Sequence, residues 1–433
     1  MIKSIFIVFI TLLIVNCSFD NRTGIWTKEK ITLKNKENKK IKELFKKEIL
    51  NEAEFNPNLK IETKNSKKNN NKIKGNNFGA QNIKSNFKSI SKYSFNKIKY
   101  FDQFEPNLVF DNNDLFFFDK KGSIIRFDGE SKIKWKVNHY SKKEKKLFPT
   151  LNFVKGGKNL LVTDSFAKIY LIDISNGKLI WKNEENVSFI SQIKIDNNKF
   201  YVLDADNIFT CFSFITGKKL WEFKGEKRLI HSQKQNSIVI NEESVIFNNS
   251  KGEIISLDKF NGNLNWLTPT IEYGKKFKSF LIKNSDLVLN DNQIYFSNNQ
   301  NAFFSLDVNL GFVNWKQNIT SYLRPIIVDN LIFTISEKGY FYIIEKNSGN
   351  IIRVTDVFYN LKPRKKKKLE INGFVSTLNN IYLSTNNGKL IKLNIKDGSL
   401  DLVYRLSRNK ISKPYVHNSK LYIIKDNGII KIN

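Results

Sequence analysis

From residue 122 to residue 433 the chain repeats one phrase: an apolar strand ending in Asp or another small polar residue, Gly four positions later, and Trp four beyond that. The clearest copies run Leu171 to Trp181 (LIDISNGKLIW), Phe212 to Trp221 (FSFITGKKLW), Leu257 to Trp266 (LDKFNGNLNW) and Leu306 to Trp315 (LDVNLGFVNW). Four copies in register are not coincidence. A shorter copy, Phe127 to Trp135, precedes them. Two degenerate ones follow, Ile344 to Arg353 and Leu393 to Leu402, with Arg353 and Leu402 standing where Trp would. The seven anchor positions lie 38 to 49 residues apart. A period in the forties written only in strands predicts propeller blades.

Each unit divides into four short apolar or alternating runs separated by Asn, Asp and Gly, which is strand and turn chemistry. The Gly of the phrase supplies the positive φ of a tight turn between third and fourth strands, and the Asp before it can bond its own turn backbone. Trp135, Trp181, Trp221, Trp266 and Trp315 open the fourth strand, where a flat ring can wedge between blades and still satisfy its N–H. After the seventh anchor three more strands follow and the sequence stops at Asn433, one strand short of an eighth blade. Ser94 to Phe104, just upstream of the first unit, is expected to supply that strand and close the ring. The expected fold is all-β: an eight-bladed propeller of four-stranded antiparallel blades over residues 93–433, closed by an N-terminal strand.

The first 17 residues have the layout of an export signal. A short basic start is followed by an apolar run from Ile5 to Val15, too short to span a bilayer, and then by Asn16-Cys17-Ser18. IVNC resembles a bacterial lipoprotein signal, which implies cleavage before Cys17 and lipid attachment to it. Asn16 departs from the usual small residue, so an ordinary signal with an incidental Cys stays open. Ser18 resembles the pattern for transfer to the outer membrane. Residues 18–92 read as a basic tether. Lys28 to Glu54 could hold a short helix, whereas Lys60 to Lys92 is nearly devoid of apolar residues and is expected to be disordered. With Cys17 lipidated only Cys211 remains, inside a strand, so a buried inert thiol is expected.

A net charge of +31 would ordinarily raise nucleic acid or an anionic membrane as partner. The surplus of Lys, Asn, Ile and Phe is also what an AT-rich coding sequence writes wherever the fold tolerates it, and nucleic acid is not expected as a partner. The densest run, Lys362 to Lys368, falls between the sixth and seventh units, either a solvated loop or an electrostatic contact. Only His139, His231 and His417 occur, none spaced with other ligands as a metal site would be. No nucleophile elbow, phosphate-cradling loop or paired Cys is present, so neither catalytic residue nor metal site is expected.

The Trp-containing phrase resembles the repeats of the quinoprotein alcohol dehydrogenases, which implies, as one alternative, an enzyme holding pyrroloquinoline quinone and calcium. The adjacent-Cys pair found in many of them is missing, and so is a clustered carboxylate set. Lipoprotein signal, tether and bare ring together resemble the BamB family of outer-membrane assembly factors. That resemblance implies no cofactor and a non-catalytic scaffold, lipid-anchored at the periplasmic face of the outer membrane. It implies contacts with BamA-like POTRA domains and with unfolded outer-membrane proteins. The tether is longer than the family leads one to expect. The loop Lys224 to Gln233 has no clear match to the family's Leu-x-Leu-Arg stretch, so Arg228 and Leu229 are partner-binding candidates by location alone. A propeller binding an unrelated envelope ligand is the third class.

Overall fold

Runs rich in Ile, Val, Phe and Tyr, cut short by Asn, Asp and Gly, can satisfy their backbone polar groups only by pairing with one another. In the computed structural model they do so as eight four-stranded antiparallel sheets. The structure describes residues 52–64, 74–84, 87, 90–228, 234–271 and 281–432. Seven blades take four consecutive strands each, over residues 109–137, 151–184, 194–224, 238–269, 288–317, 326–356 and 371–405. Blade 8 joins Tyr415–His417, Lys420–Lys425 and Gly428–Ile432 to the upstream strand Ile90–Ser94. That strand runs antiparallel to the last, from Ile90 opposite Ile432 to Ser94 opposite Gly428.

The closing strand thus sits earlier than the expected Ser94 to Phe104. Tyr93 is its fully buried anchor, while Ile98 and Phe101 are spent on packing against Phe116, Phe117 and Phe118 of blade 1. Between them the chain turns at Tyr100 (φ 60°) into a 3-10 turn, Phe101–Gln103. The apolar content that marked this stretch as a strand therefore reports packing under blade 1 rather than pairing.

In blades 1 to 5 and 7 the second and third strands are largely buried and the fourth is not. In blade 5 Gln293–Asn298 and Ala302–Asp307 are almost wholly buried, whereas Val313–Gln317 alternates exposed and half-buried residues. The core lies between blades. Val239, Ile246 and Ile254 of blade 4 interdigitate with Leu289, Ile294, Phe296 and Leu306 of blade 5, and Trp266 packs on the edge of that cluster.

The repeated turn needs glycine for two reasons. At Gly311 φ is 73°, its N–H donates to the Asp307 carbonyl at 3.0 Å, and the Asp307 carboxylate accepts from the backbone N–H groups of Asn309 and Leu310. A Cβ there would lie 2.5 Å from ring atoms of Trp266 in the preceding blade. The missing side chain makes room for the neighbour's indole, so Gly and Trp are two halves of one contact. The same pairing joins Gly177 with Trp135, Gly217 with Trp181, Gly262 with Trp221 and Gly349 with Trp315.

Upstream of the closing strand the described residues depart from a disordered tether. Phe55 exchanges both backbone hydrogen bonds with Val354, on the outer strand of blade 6 (3.1 and 3.0 Å), and the Ile61 N–H donates to the Lys396 carbonyl. Ile61 is buried there. Residues 74–81 then run across the ring centre: Ile240 and Leu289 donate backbone bonds to the carbonyls of Lys74 and Gly75, and Gln81 donates to that of Ser376. A polar segment that cannot build a core of its own is ordered here because the ring presents backbone partners, which composition does not report. Cys17 and nearly all of Lys28 to Glu54 lie outside the described residues. Among the described residues no helix is long and apolar enough to cross a membrane.

Candidate functional site

The indoles dock blade to blade. Trp135, Trp181, Trp266 and Trp315 are half-buried, and each donates its Nε1–H across to the next blade, to the carbonyls of Ile174, Phe214, Val308 and Lys346 at 2.9 to 3.1 Å. Trp221 keeps the ring contact, but its N–H has no partner among the described residues. The carbonyl in the equivalent place, that of Lys259, accepts instead from the Tyr201 hydroxyl at 3.1 Å. Where the sixth unit lost its Trp, Arg353 does the same work. Its fully buried guanidinium donates to the Ile395 carbonyl at 2.5 Å and the Lys396 carbonyl at 2.6 Å of blade 7, and also to the Leu59 carbonyl at 2.9 Å. A fork of donors replaces a single indole N–H and ties down residues 53–61 as well.

The second feature is the central channel, lined by the first strand of each blade and the residues leading into it. Residues 74–81 cross it at the strand ends, where Lys74 pairs with Asp196. Residues 101–106 cross it at the strand starts, where Glu105 reaches Lys234, which also faces Asp286, both at 3.5 Å. The Pro106 carbonyl accepts from the Tyr415 hydroxyl. Within the first crossing Asn76 is buried. Its amide N–H groups donate to Ser237 Oγ (3.0 Å) and the Leu287 carbonyl (3.1 Å), and its Oδ1 accepts from Lys194 Nζ at 2.5 Å. Burial pushes the Lys194 amine down to about 7, against the attraction of Asp286 and with the repulsion of Arg324 and Lys413. The Asp286 carboxyl is held below the usual range by Lys234, Lys413, Arg324 and Lys194, against its burial. None of this was legible in the sequence, because Lys194 and Asp196, Lys234, Asp286, Arg324 and Lys413 come from five different blades and are far apart along the chain.

The surface candidates are scattered. Arg228 turns its guanidinium onto the Ser250 carbonyl at 2.7 Å, which stitches the loop after blade 3 to blade 4. Leu229 lies outside the described residues. Lys224 is exposed, and Lys227 pairs with Asp206 at 2.8 Å. In the basic run between blades 6 and 7, Pro363–Lys366 makes a single helical turn. Lys366 pairs with Asp356 and the other cations of the run point outward. Burial pushes the Cys211 thiol up to about 12. Among the described residues no three His, Cys, Asp or Glu side chains group as metal ligands.

The family model described as outer membrane protein assembly factor BamB matches residues 120–355, more than half of the chain. The chain belongs to the BamB family. The crystal structure of BamB from Moraxella catarrhalis superposes with a TM-score of 0.65 at 14% identity, over 79% of this chain and 99% of that one. A europium-containing methanol dehydrogenase gives 0.64 at 10% identity, over 82% and 88%. The computationally designed Ika8 protein gives 0.57 at 11%, over 78% and 99%. Likeness at such identities is likeness of fold. No curated protein matches the chain in sequence.

On this BamB-family ring the sequence missed one feature of the surface. At equivalent turns of four successive blades apolar side chains stand in solvent: Leu179 and Ile180, then Ile215 and Leu220, then Phe260 and Leu264, then Leu310, Phe312 and Val313. Phe312 is 69% exposed. The same kind of residue is thus exposed at the same place in each of these blades. The residues are visible in the repeat phrase, flanking its Gly, but periodicity alone assigned them to strands.

Proposed function

We propose that this chain is a non-catalytic scaffold of the outer-membrane β-barrel assembly machinery, held by lipid on Cys17 at the periplasmic face of the outer membrane. There it docks on BamA-like POTRA domains and takes part in delivering unfolded β-barrel precursors. The observation that carries the reading is the BamB family match across residues 120–355. The exposed apolar rim and the outward-facing cations of Arg364, Lys365 and Lys367 support it, since both suit contact with other proteins rather than chemistry on a small substrate.

The test is isolation of the tagged protein from envelope extracts. A BamA-like protein is expected to co-purify. Lys224→Glu with Lys227→Glu, or separately Arg364→Glu with Lys365→Glu and Lys367→Glu, should abolish that in one of the two sets. Thermal stability should not change, because surface substitutions away from packing stay within ~0.5 kcal/mol. Cys17→Ser should move the protein to the soluble fraction. Reduction of an artificial electron acceptor by the purified protein, given pyrroloquinoline quinone, calcium and an alcohol, with no envelope partner recovered, would replace the scaffold with an enzyme.

A further inference from the structure

Among the described residues four basic side chains, Lys194, Lys234, Arg324 and Lys413, converge on the middle of the ring, and the carboxylates of Asp286 and Glu105 face them. A cavity of about 280 Å³ there is lined by Lys194, Arg324 and Lys413, by Asp286, and by the amides of Asn76 and Gln192. Behind Asp286 stands Lys234, which Glu105 and Asp286 hold between them. Counting the cavity wall alone gives three cations to one anion. Adding Lys234 and Glu105 gives four to two. Either way basic groups outnumber carboxylates by two around one small space, and Lys194 and Asp286 are 6% and 4% exposed. Among the described residues neither Arg324 nor Lys413 forms an ion pair. Each lies instead over an aromatic ring, Arg324 over Phe78 at 4.2 Å and Lys413 over Tyr415 at 5.9 Å.

Like charges gathered out of water are costly unless countered. With 72 Lys and Arg residues to place, this protein could leave every cation in water. Instead each cation comes from a different blade, at the residues leading into or opening the first strand, so that four separate loops contribute to one point. The amide of Asn76 is fixed at the edge of that point by Ser237 and Leu287, which leaves its oxygen toward Lys194.

We propose that the channel is a binding site for a small oxyanion, a phosphate or carboxylate group, held among Lys194, Arg324 and Lys413. Arg324 offers the paired donors that suit either group, and the two lysines add charge without geometric demand. Asp286 keeps Lys234 away from the ligand and limits the charge, which favours a compact anion over a long polyanion. The crossing segments 74–81 and 101–106 lie over the two mouths. Asn76, Phe78 and Gln81 line the cavity itself, so residues ahead of the ring become part of the site.

The experiment is calorimetric titration of the purified full chain with inorganic phosphate and, separately, with succinate, in chloride buffer of constant ionic strength. A single saturable site is expected for at least one of the two, and which of them binds tells phosphate from carboxylate. Arg324→Gln and Lys413→Gln should each weaken it by about tenfold or more, the size of one charged hydrogen bond. Lys365→Gln, on the surface, should change nothing. Without phosphate or succinate Lys413→Gln should melt no lower than the parent, since it relieves repulsion, and either ligand that binds should raise the melting points of the parent and of Lys365→Gln more than those of Arg324→Gln and Lys413→Gln. Should one variant fail to fold, the other carries the test. No saturable site, or one that Arg324→Gln, Lys413→Gln and Lys365→Gln all leave equally strong, overturns the proposal.

Discussion

Replacing the indoles of two blades by phenyl rings separates their packing from their hydrogen bonds. Trp266→Phe removes the 2.9 Å bond to the Val308 carbonyl but leaves an aromatic ring against Gly311. Trp221→Phe removes an N–H that has no partner. A lost hydrogen bond of this kind costs about 1 kcal/mol, whereas deleting an unpaired buried donor returns free energy on a similar scale. The smaller ring costs both variants about 1 kcal/mol in lost packing. Trp266→Phe should therefore destabilise by about 2 kcal/mol and Trp221→Phe by about 0 to 1. Trp266→Ala, which also empties the space over Gly311, should cost about 3 kcal/mol, the low end for an aromatic deletion because the ring is half-buried. Urea unfolding followed by circular dichroism reads these differences, provided the slopes of the transitions agree. Equal losses in the two Phe variants would refute the role given to the Nε1–carbonyl bonds. A loss below about 1 kcal/mol for Trp266→Ala would refute the packing role itself.

Removing residues 18–52 should leave a soluble ring, while removing 18–96 should expose the Gly428–Ile432 edge and cause aggregation; equal solubility would sink closure by Ile90–Ser94. Arg353→Met should destabilise by about 2 kcal/mol through its lost charged donors and speed amide exchange at Phe55 and Ile61, whereas Arg353→Trp should restore the blade contact and still leave 53–61 loosened. Unchanged exchange at Phe55 in both would mean that Arg353 does not hold the segment. Lys194 faces Asn76, Asp286, Arg324 and Lys413, and its folded-state value of about 7 lies below the ordinary Lys value of about 10.4. Between those values the unfolded chain binds the extra proton, so stability should rise with pH above 7 in the parent relative to Lys194→Met. Parallel urea midpoints of the two proteins from pH 6.5 to 9 would contradict it.

The repeat was legible because its geometry leaves few choices. A positive φ under a neighbour's indole admits only Gly, and that need recurs in blade after blade. Arg353 stood out as a missing Trp, yet its role depends on three carbonyls from two distant segments, and no local pattern encodes that. The closing strand was misplaced because Ile90–Ser94 has little apolar content beyond Ile90 and Tyr93, while the richer stretch after it packs without pairing. Residues 74–81 were read as free chain because Lys, Gly and Asn build no core. Their order comes from carbonyls and amides that the ring supplies. The channel charges were hidden for the opposite reason, being ordinary surface residue types in each blade until the ring brings them together.

The pairing of Ile90–Ser94 with Gly428–Ile432 also sets a timetable. Ile90–Ser94 is synthesised well ahead of its partner, so the ring stays an open arc until Gly428–Ile432 has arrived. An exported chain of this kind would gain from that delay, because no closed ring can form on the wrong side of a membrane before the later strand is made. A product that lacks Gly428–Ile432 would present a bare edge in blade 8, where a protease or chaperone can find it. That strand therefore acts as the latch that turns an open arc into a ring.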